Sequence, residues 1–333
     1  MTEAAEVQVS VTFYKEVSMS KRTKYQIAFI AGVLVILIIC NALVGGKLLS
    51  FRNIRTIISN SVFPVFTAFG LCFIFTGGLI DLSVGANILL SANFGAFLAE
   101  SMGLGYPGLI LGGILCAVVC EQLCVQCSLT LHIPAWISGL GSALILEAIL
   151  AQWSAVLASK SQKLPNLTTY RALGKMPTMG IVLLIGFIAA YIIFNKTSLG
   201  INLQAIGGNA AVAEVMGVKV KKTILLATVV GGIFAGCAAI TNISFTGKLD
   251  CSSGLNSLST IFKALAATLL ADSIQNIFTK PVGILLSGIA VVALFNILTL
   301  FGVPSGTYQN IVLGFVVIFC GILSHLRDRG VVK

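Results

Sequence analysis

Long apolar runs separated by short polar segments dominate this chain. A membrane-spanning helix needs about 20 apolar residues, and most of the runs approach that length. We expect spans near 25–44, 57–77, 86–100, 108–128, 134–156, 178–194, 223–242, 258–271, 282–301 and 309–325. The run at 258–271 is too short for a straight span. The pattern therefore predicts an all-α polytopic membrane protein of about ten transmembrane helices, some of them broken or re-entrant.

Composition excludes most other classes of protein. Of the 333 residues, 57% are hydrophobic and only 10% are charged, whereas a soluble domain carries roughly 25% charged residues. A water-soluble domain and a disordered chain are both excluded. The net charge is +10, but the basic residues are scattered between apolar runs. We therefore expect contact with membrane lipid, not with nucleic acid, and no room for a nucleotide-binding domain.

Charge around the runs suggests an orientation. The first residues lack a signal-peptide pattern, and Lys21, Arg22 and Lys24 precede the first span, which favours a cytoplasmic N-terminus. Basic residues in 45–56 and 158–176 argue against this topology, because both segments then fall outside. The predicted organisation is a cytoplasmic segment 1–24, a transmembrane domain 25–325 with repeats of about 25–157 and 177–325, a cytoplasmic loop 196–222 and a cytoplasmic tail 326–333.

A motif of the form D-x-S-x-G-x-N-x-L occurs twice. The two copies supply Asp81, Ser83, Gly85 and Asn87, and Asp250, Ser252, Gly254 and Asn256. Each copy follows two predicted spans, and the two pairs run in opposite directions. This arrangement is typical of inverted repeats, in which a path lies between two symmetry-related halves.

The residue types of the motif suit a broken helix near a polar path. Aspartate and serine cap helix N-termini, and glycine allows tight turns. The unpaired N–H groups at helix N-termini, together with the serine and asparagine side chains, would suit a polyhydroxylated neutral solute. Two alternatives stay open: Asp81 and Asp250 only cap helices, or they form a proton or sodium site. Glu121 and Glu147 are further ionisable candidates, with interhelical hydrogen bonds as the alternative.

Other motifs point to packing. Four cysteines, Cys116, Cys120, Cys124 and Cys127, fall on one helical face. One straight helix cannot place four thiolates tetrahedrally around zinc, so a packing stripe is favoured over a metal site. The Gly232…Gly236 spacing predicts close helix packing. No catalytic constellation, metal site or phosphate-binding loop is visible.

The polar loop 196–222 contains a capped helix. Residues 210–216 predict a short helix that Asn209 opens and Gly217 closes. Lysines follow it. The segment is therefore either a docking element on the membrane face or an ordinary connecting helix.

These motifs resemble those of a known family. Residues 80–85 and 197–220 are similar to the two signatures of permease subunits of bacterial ABC importers for ribose and related monosaccharides, within the branched-chain-amino-acid-type permease group. Residues 281–323 are similar to that family's last two helices. The resemblance implies two permease copies, two cytoplasmic ABC ATPase subunits that bind and hydrolyse ATP, and an extracytoplasmic sugar-binding protein. It implies no cofactor in the permease, and assigns ATPase coupling to Gly207, Gly208, Asn209, Glu214 and Gly217.

The chain departs from the family at three places. Ala210 replaces an acidic residue, and Glu214 stands where a basic residue is common. No glycine occurs between Leu270 and Gly283, where the family has a glycine-rich loop. One hypothesis is that this chain is the divergent half of a heterodimer, with a homodimer as the alternative.

The resulting prediction is a non-enzymatic transmembrane permease subunit of an ATP-driven importer. We expect it in the bacterial inner membrane, with both termini in the cytoplasm, conducting a monosaccharide such as ribose. One alternative is import of a nucleoside or a furanosyl signalling molecule. An alternative of another class is an ion-coupled secondary carrier that uses Asp81 and Asp250.

Overall fold

The computed structural model describes residues 26, 32, 35, 38–275, 277–304 and 306–328, and no strand occurs among them. The helices are α1 Phe51–Thr76, α2 Val84–Ala96, α3 Gly105–Leu131, α4 Ala135–Ser159, α5 Thr178–Lys196, α6 Ser198–Gly208, α7 Ala210–Val215, α8 Val220–Thr246, α9 Leu258–Ser273, α10 Lys280–Leu300 and α11 Thr307–Asp328. A π-helical turn, Phe97–Ser101, extends α2, and a 3-10 helix, Ala172–Gly174, lies between α4 and α5.

Six of the helices in the described ranges, namely α1, α3, α4, α5, α8 and α10, are long and apolar enough to cross a membrane. This confirms the predicted all-α polytopic membrane protein. With 13 and 16 residues, α2 and α9 are shorter than a span of about 20 residues. The predicted segment 1–24 and half of the predicted span 25–44 lie outside the described residues, as do residues 329–333 of the predicted tail.

The start of α1 differs from the prediction. The helix begins at Phe51, not near residue 57, because the Ser50 hydroxyl accepts a hydrogen bond from the Asn53 N–H at 3.3 Å and caps the first turn. Arg55 therefore lies on the helix, where its guanidinium donates to the carbonyl oxygen of Met176 at 3.0 Å. The prediction from apolarity placed Arg55 in the segment 45–56, outside the helix.

Close packing of α1, α3 and α8 forms the centre of the bundle. Phe73 of α1 stacks on Phe234 of α8, with ring centroids 5.8 Å apart. An added Cβ at Gly232 would lie 2.8 Å from the Cα of Val118 in α3. Only glycine permits this approach, so the packing role predicted for Gly232…Gly236 is confirmed.

The same order of elements occurs twice. A long helix leads through an irregular segment into a short helix, first as α1, 77–83 and α2, and later as α8, 247–257 and α9. The two long helices touch, because an added Cβ at Gly70 would lie 3.0 Å from the carbonyl oxygen of Gly231. The arrangement agrees with the predicted pair of broken helices, and the duplication itself stays a prediction.

Candidate functional site

The first irregular segment, 77–83, places Asp81 and Ser83 inside the bundle, whereas Gly78 and Ile80 are exposed. Asp81 and Ser83 are 1% and 0% exposed. The Asp81 carboxylate accepts a hydrogen bond from the Ser83 N–H at 2.7 Å, which closes a turn before α2. Ser83 occupies the N-cap position without a side-chain capping bond. The predicted capping role is therefore corrected: Asp81 stabilises the turn, and neither side chain caps the helix.

Asn87 joins α2 to α3. Its side-chain amide donates to the carbonyl oxygen of Ala117 at 3.0 Å and to the carboxyl group of Glu121 at 3.1 Å. Its own side-chain oxygen accepts from the Ser91 hydroxyl at 3.0 Å. Asn87 and Glu121 are both fully buried. In the single chain, this asparagine is therefore an interhelical link.

The second irregular segment, 247–257, lies at the surface except for its two ends, Gly247 and Ser257, which are buried. Asp250 pairs with Lys248 at 2.5 Å, and the Asp250 side chain is 77% exposed. Ser252 is half-buried, and Gly254 and Asn256 are exposed. The Asn256 side chain donates to the carbonyl oxygen of Ser253 at 2.7 Å. The predicted cap at Asp250 is therefore wrong, because its carboxylate is held by a neighbouring lysine.

Glu147 holds the start of α9. It stands at the middle of α4 and is 3% exposed. Its two carboxylate oxygens accept hydrogen bonds from the backbone N–H groups of Leu255 at 2.9 Å and Ser257 at 2.8 Å. A helix N-terminus leaves such donors without partners inside the helix. The Glu147 carboxylate, which comes from another helix, thus accepts the hydrogen bonds at the start of α9 that Asp250 was predicted to accept.

Both irregular segments pack against α4. An added Cβ at Gly85 would overlap the carbonyl oxygen of Ser257, so the glycine allows the first turn of α2 to contact the end of the second segment. On α4, an added Cβ at Gly139 would lie 2.7 Å from the Leu82 nitrogen. One helix therefore packs against the first segment and caps the second.

Helices α6 and α7 form a hairpin at one end of the bundle. The side chain of Asn209 accepts a hydrogen bond from the Val212 N–H at 3.1 Å and opens α7, while Gly217 has a φ of +88° just after its end. The predicted capped helix is confirmed, with bounds Ala210–Val215. Gly208, Asn209, Glu214 and Gly217 are exposed.

Gly207 connects the hairpin to the bundle. An added Cβ there would overlap the carbonyl oxygen of Thr76, at the end of α1. The same threonine accepts a hydrogen bond from the Lys280 ammonium at 2.8 Å, and Lys280 pairs with Asp272 at 2.9 Å. Asp272 and Lys280 flank the segment in which this chain lacks the expected glycines. A polar cavity of about 450 Å³ lies among these residues.

A second cavity lies toward the opposite end of the bundle, and no motif predicted it. It has a volume of about 560 Å³ and is formed by α1, α8, α9, α10 and their neighbours. The residues that line it are Thr56, Ser59, Asn60, Phe63, Pro64, Met179, Asn242, Phe245, Thr246, Ser259, Thr260, Lys263, Val292, Phe295, Asn296, Thr299 and Gln309. None of the eight motif residues is among them. Because six helices contribute, no local pattern could have predicted the cavity.

Long apolar helices around two broken segments, with a hairpin at one end, define a membrane permease. The chain belongs to the family described as branched-chain amino acid transport system / permease component, whose profile matches residues 53–321. The match includes both broken segments and the hairpin.

Individual relatives cover most of the chain at modest identity. The chain is 26% identical over 275 residues to the autoinducer 2 import system permease protein of Enterobacter sp. (strain 638), over 81% of this chain and 78% of the relative. It is 24% identical over 316 residues to the ribose import permease protein of Haemophilus influenzae, over 90% and 92%. A nucleoside ABC transporter permease protein of Lactococcus lactis is 31% identical over 131 residues, 39% of this chain and 33% of the relative. No solved structure gives a significant match.

Proposed function

We propose that this chain is the transmembrane permease subunit of an ATP-driven ABC importer and conducts a monosaccharide such as ribose. The observation that carries the proposal is the family match over 53–321, which includes both broken segments and the hairpin. The ribose import relative supports the solute class, because it aligns over 92% of its length. The solute would pass the broken segments, near Asp81 and Asn87 of the first copy and Asp250 and Asn256 of the second.

The hairpin is the proposed docking site of the ATPase subunits. Val215 and Met216 of this hairpin are 90% and 78% exposed. Exposed apolar side chains beside polar residues mark a surface that a partner covers. ATP would bind only to those partners, so the permease itself needs no cofactor and performs no catalysis.

The remaining partners follow from the same proposal. A second permease copy, identical or divergent, would complete the path, and an extracytoplasmic binding protein would deliver the sugar. The hairpin faces the cytoplasm in this arrangement, with both termini on the same side of the bacterial inner membrane. The exposed second segment, 247–257, would then face the binding protein or the other permease copy.

Two other functions remain testable. The autoinducer 2 and nucleoside relatives support import of a furanosyl signalling molecule or a nucleoside. An ion-coupled carrier that uses Asp81 and Asp250 is supported by the burial of Asp81, since intramembrane carboxyl groups are functional candidates. The carrier predicts uptake that collapses with the ion gradient and needs no ATPase.

The experiment reconstitutes the permease in proteoliposomes with its ATPase and binding protein and measures ribose uptake. Gly208→Trp is the test variant, because nothing lies within 4 Å of an added Cβ at Gly208. An indole on the docking surface should lower ATPase affinity and uptake about tenfold, the effect of about 1.4 kcal/mol. Gly207→Trp is unsuitable, because it would also disturb the contact with Thr76.

Gly314→Trp is the matched control, since an added Cβ at this position on α11 also meets nothing within 4 Å. It should retain ATPase binding and uptake. Undiminished ATPase binding by Gly208→Trp would overturn the docking assignment. Uptake by the permease without any ATPase would overturn the proposed function as a whole.

A further inference from the structure

The cavity of about 560 Å³ has the size and chemistry of a small-molecule site. Sites for small ligands usually measure about 300–1,000 Å³ and combine apolar walls with a few polar groups. Here Phe63, Phe245 and Phe295 supply aromatic surface, while amide and hydroxyl side chains supply hydrogen-bonding groups. Aromatic faces with interspersed polar groups suit a sugar ring.

Two amides in the cavity are available to a solute. The side chains of Asn60 and Asn242 make no hydrogen bond to other described residues, whereas Asn296 exchanges two hydrogen bonds with Asn53 at 2.9 and 3.0 Å. An amide offers both a donor and an acceptor. Hydroxyl groups of a polyhydroxylated solute need both.

The described lining of the cavity carries positive charge only. Within the described lining, Lys263 is the one charged residue, and no carboxylate is present. Its ammonium group lies 4.7 Å from the centroid of the Phe295 ring, a cation–π contact that holds it against the wall. A fixed cation without a counter-charge attracts anions and repels cations.

We infer that this cavity receives a neutral or anionic polyhydroxylated solute and that Lys263 excludes cationic ones such as amino sugars. The inference rests on the proposed function and adds a charge class to its substrate. Lys263 is the specificity-determining residue, and the amides of Asn60 and Asn242 are the contacts for solute hydroxyls.

A cysteine reporter measures the charge of the cavity without any transport assay. Ser259→Cys places a thiol in the lining, four residues before Lys263 on α9, where Cβ atoms are about 5–6 Å apart. The purified permease in lipid nanodiscs is treated with anionic or cationic methanethiosulfonate reagents, and mass spectrometry quantifies the label at position 259. The native Cys251, which is exposed and outside the lining, is the control within the same molecule.

The anionic reagent should react faster than the cationic one at position 259. At about 6 Å, a unit charge changes the local concentration of a charged reagent by about threefold in water and about a hundredfold at an effective dielectric constant of about 20. Lys263→Met should therefore lower the anionic-to-cationic rate ratio at least about threefold, and Lys263→Arg should preserve it. The ratio at Cys251 should be the same in all variants. An unchanged ratio at position 259 in Lys263→Met overturns the inference.

Protection by sugars tests the solute class. Galactose and galacturonate should slow labelling at position 259, and galactosamine should not, unless Lys263→Met is also present. Equal protection by galactosamine in the parent protein, or protection by none of the three, overturns the inference. ATP-driven ribose uptake in proteoliposomes is scored separately. Its absence would count against the proposed function, whereas intact uptake without Lys263-dependent labelling would count against this inference alone.

Discussion

Replacing Glu147 by alanine should release the start of α9 from α4. The Glu147 carboxylate accepts both backbone hydrogen bonds from Leu255 and Ser257, at 2.9 and 2.8 Å. Alanine removes both acceptors and leaves two N–H groups at a helix N-terminus without a partner. The change therefore tests whether a carboxylate on a neighbouring helix stabilises the broken segment.

The structure sets the size of the effect. A hydrogen bond to a charged group contributes about 1.5–3 kcal/mol. Ser257 is fully buried and Leu255 is half-buried, so water can replace the acceptor at Leu255 more easily than at Ser257. We therefore expect a local loss near the lower limit for two bonds, about 3 kcal/mol. Since 1.4 kcal/mol is a factor of ten, amide exchange at these positions should accelerate about a hundredfold.

Hydrogen–deuterium exchange of the peptide covering 250–260 is the assay, carried out on the permease in nanodiscs. Glu100→Ala is the matched control. The Glu100 carboxylate also accepts two backbone hydrogen bonds, from Thr168 and Thr169 at 2.8 Å each, but both threonines are exposed. Its effect should be smaller and confined to 168–169. Unchanged exchange at 255–257 in Glu147→Ala would refute the capping role.

Two further experiments test contacts between segments. Gly85→Leu should reduce the yield of folded protein, because its side chain would overlap Ser257 and overpacking costs about 1–3 kcal/mol. The control Gly141→Leu should express normally, because this position faces open space. Equal yields of the two variants would argue against the contact. Asp272→Asn and Lys280→Met should each lower the thermal unfolding temperature in detergent, and the double variant should lose less than the sum, because the two side chains form one partly buried ion pair. Strictly additive losses would show that the pair is not coupled.

Local features of the fold could be predicted from the sequence. The hairpin helix α7 was predicted with nearly its observed bounds, because Asn209 and Gly217 are capping residues that act within a few positions of themselves. Six of the ten predicted spans match long apolar helices in the described ranges, since length and apolarity decide membrane crossing, whereas the predicted spans 86–100 and 258–271 correspond to the shorter helices α2 and α9. The start of α1 was missed because the Ser50 cap and the bond from Arg55 to a distant carbonyl outweigh local polarity.

Long-range features could not be predicted in the same way. Asp81 and Asp250 occupy equivalent positions of one motif, yet Asp81 is buried in a turn and Asp250 is paired at the surface. The environment of each depends on helices far away in sequence. Glu147 is 108 residues from Leu255, so nothing near either residue indicates that they are bonded. The side chains that line the larger cavity likewise converge from helices that are separated in the chain.

The contacts of the hairpin provide a physical route from its surface to the middle of the bundle. Gly207 touches Thr76, which is both the last residue of α1 and the acceptor of the bond from Lys280. Through its pair with Asp272, the same lysine reaches the end of α9. Because α9 has 16 residues, its other end lies about 24 Å away, at the position where Ser257 meets Gly85. We therefore expect a displacement of the hairpin to act on the ends of α1 and α9. We expect α9 to transmit it to Ser257, which meets Gly85 in the first turn of α2.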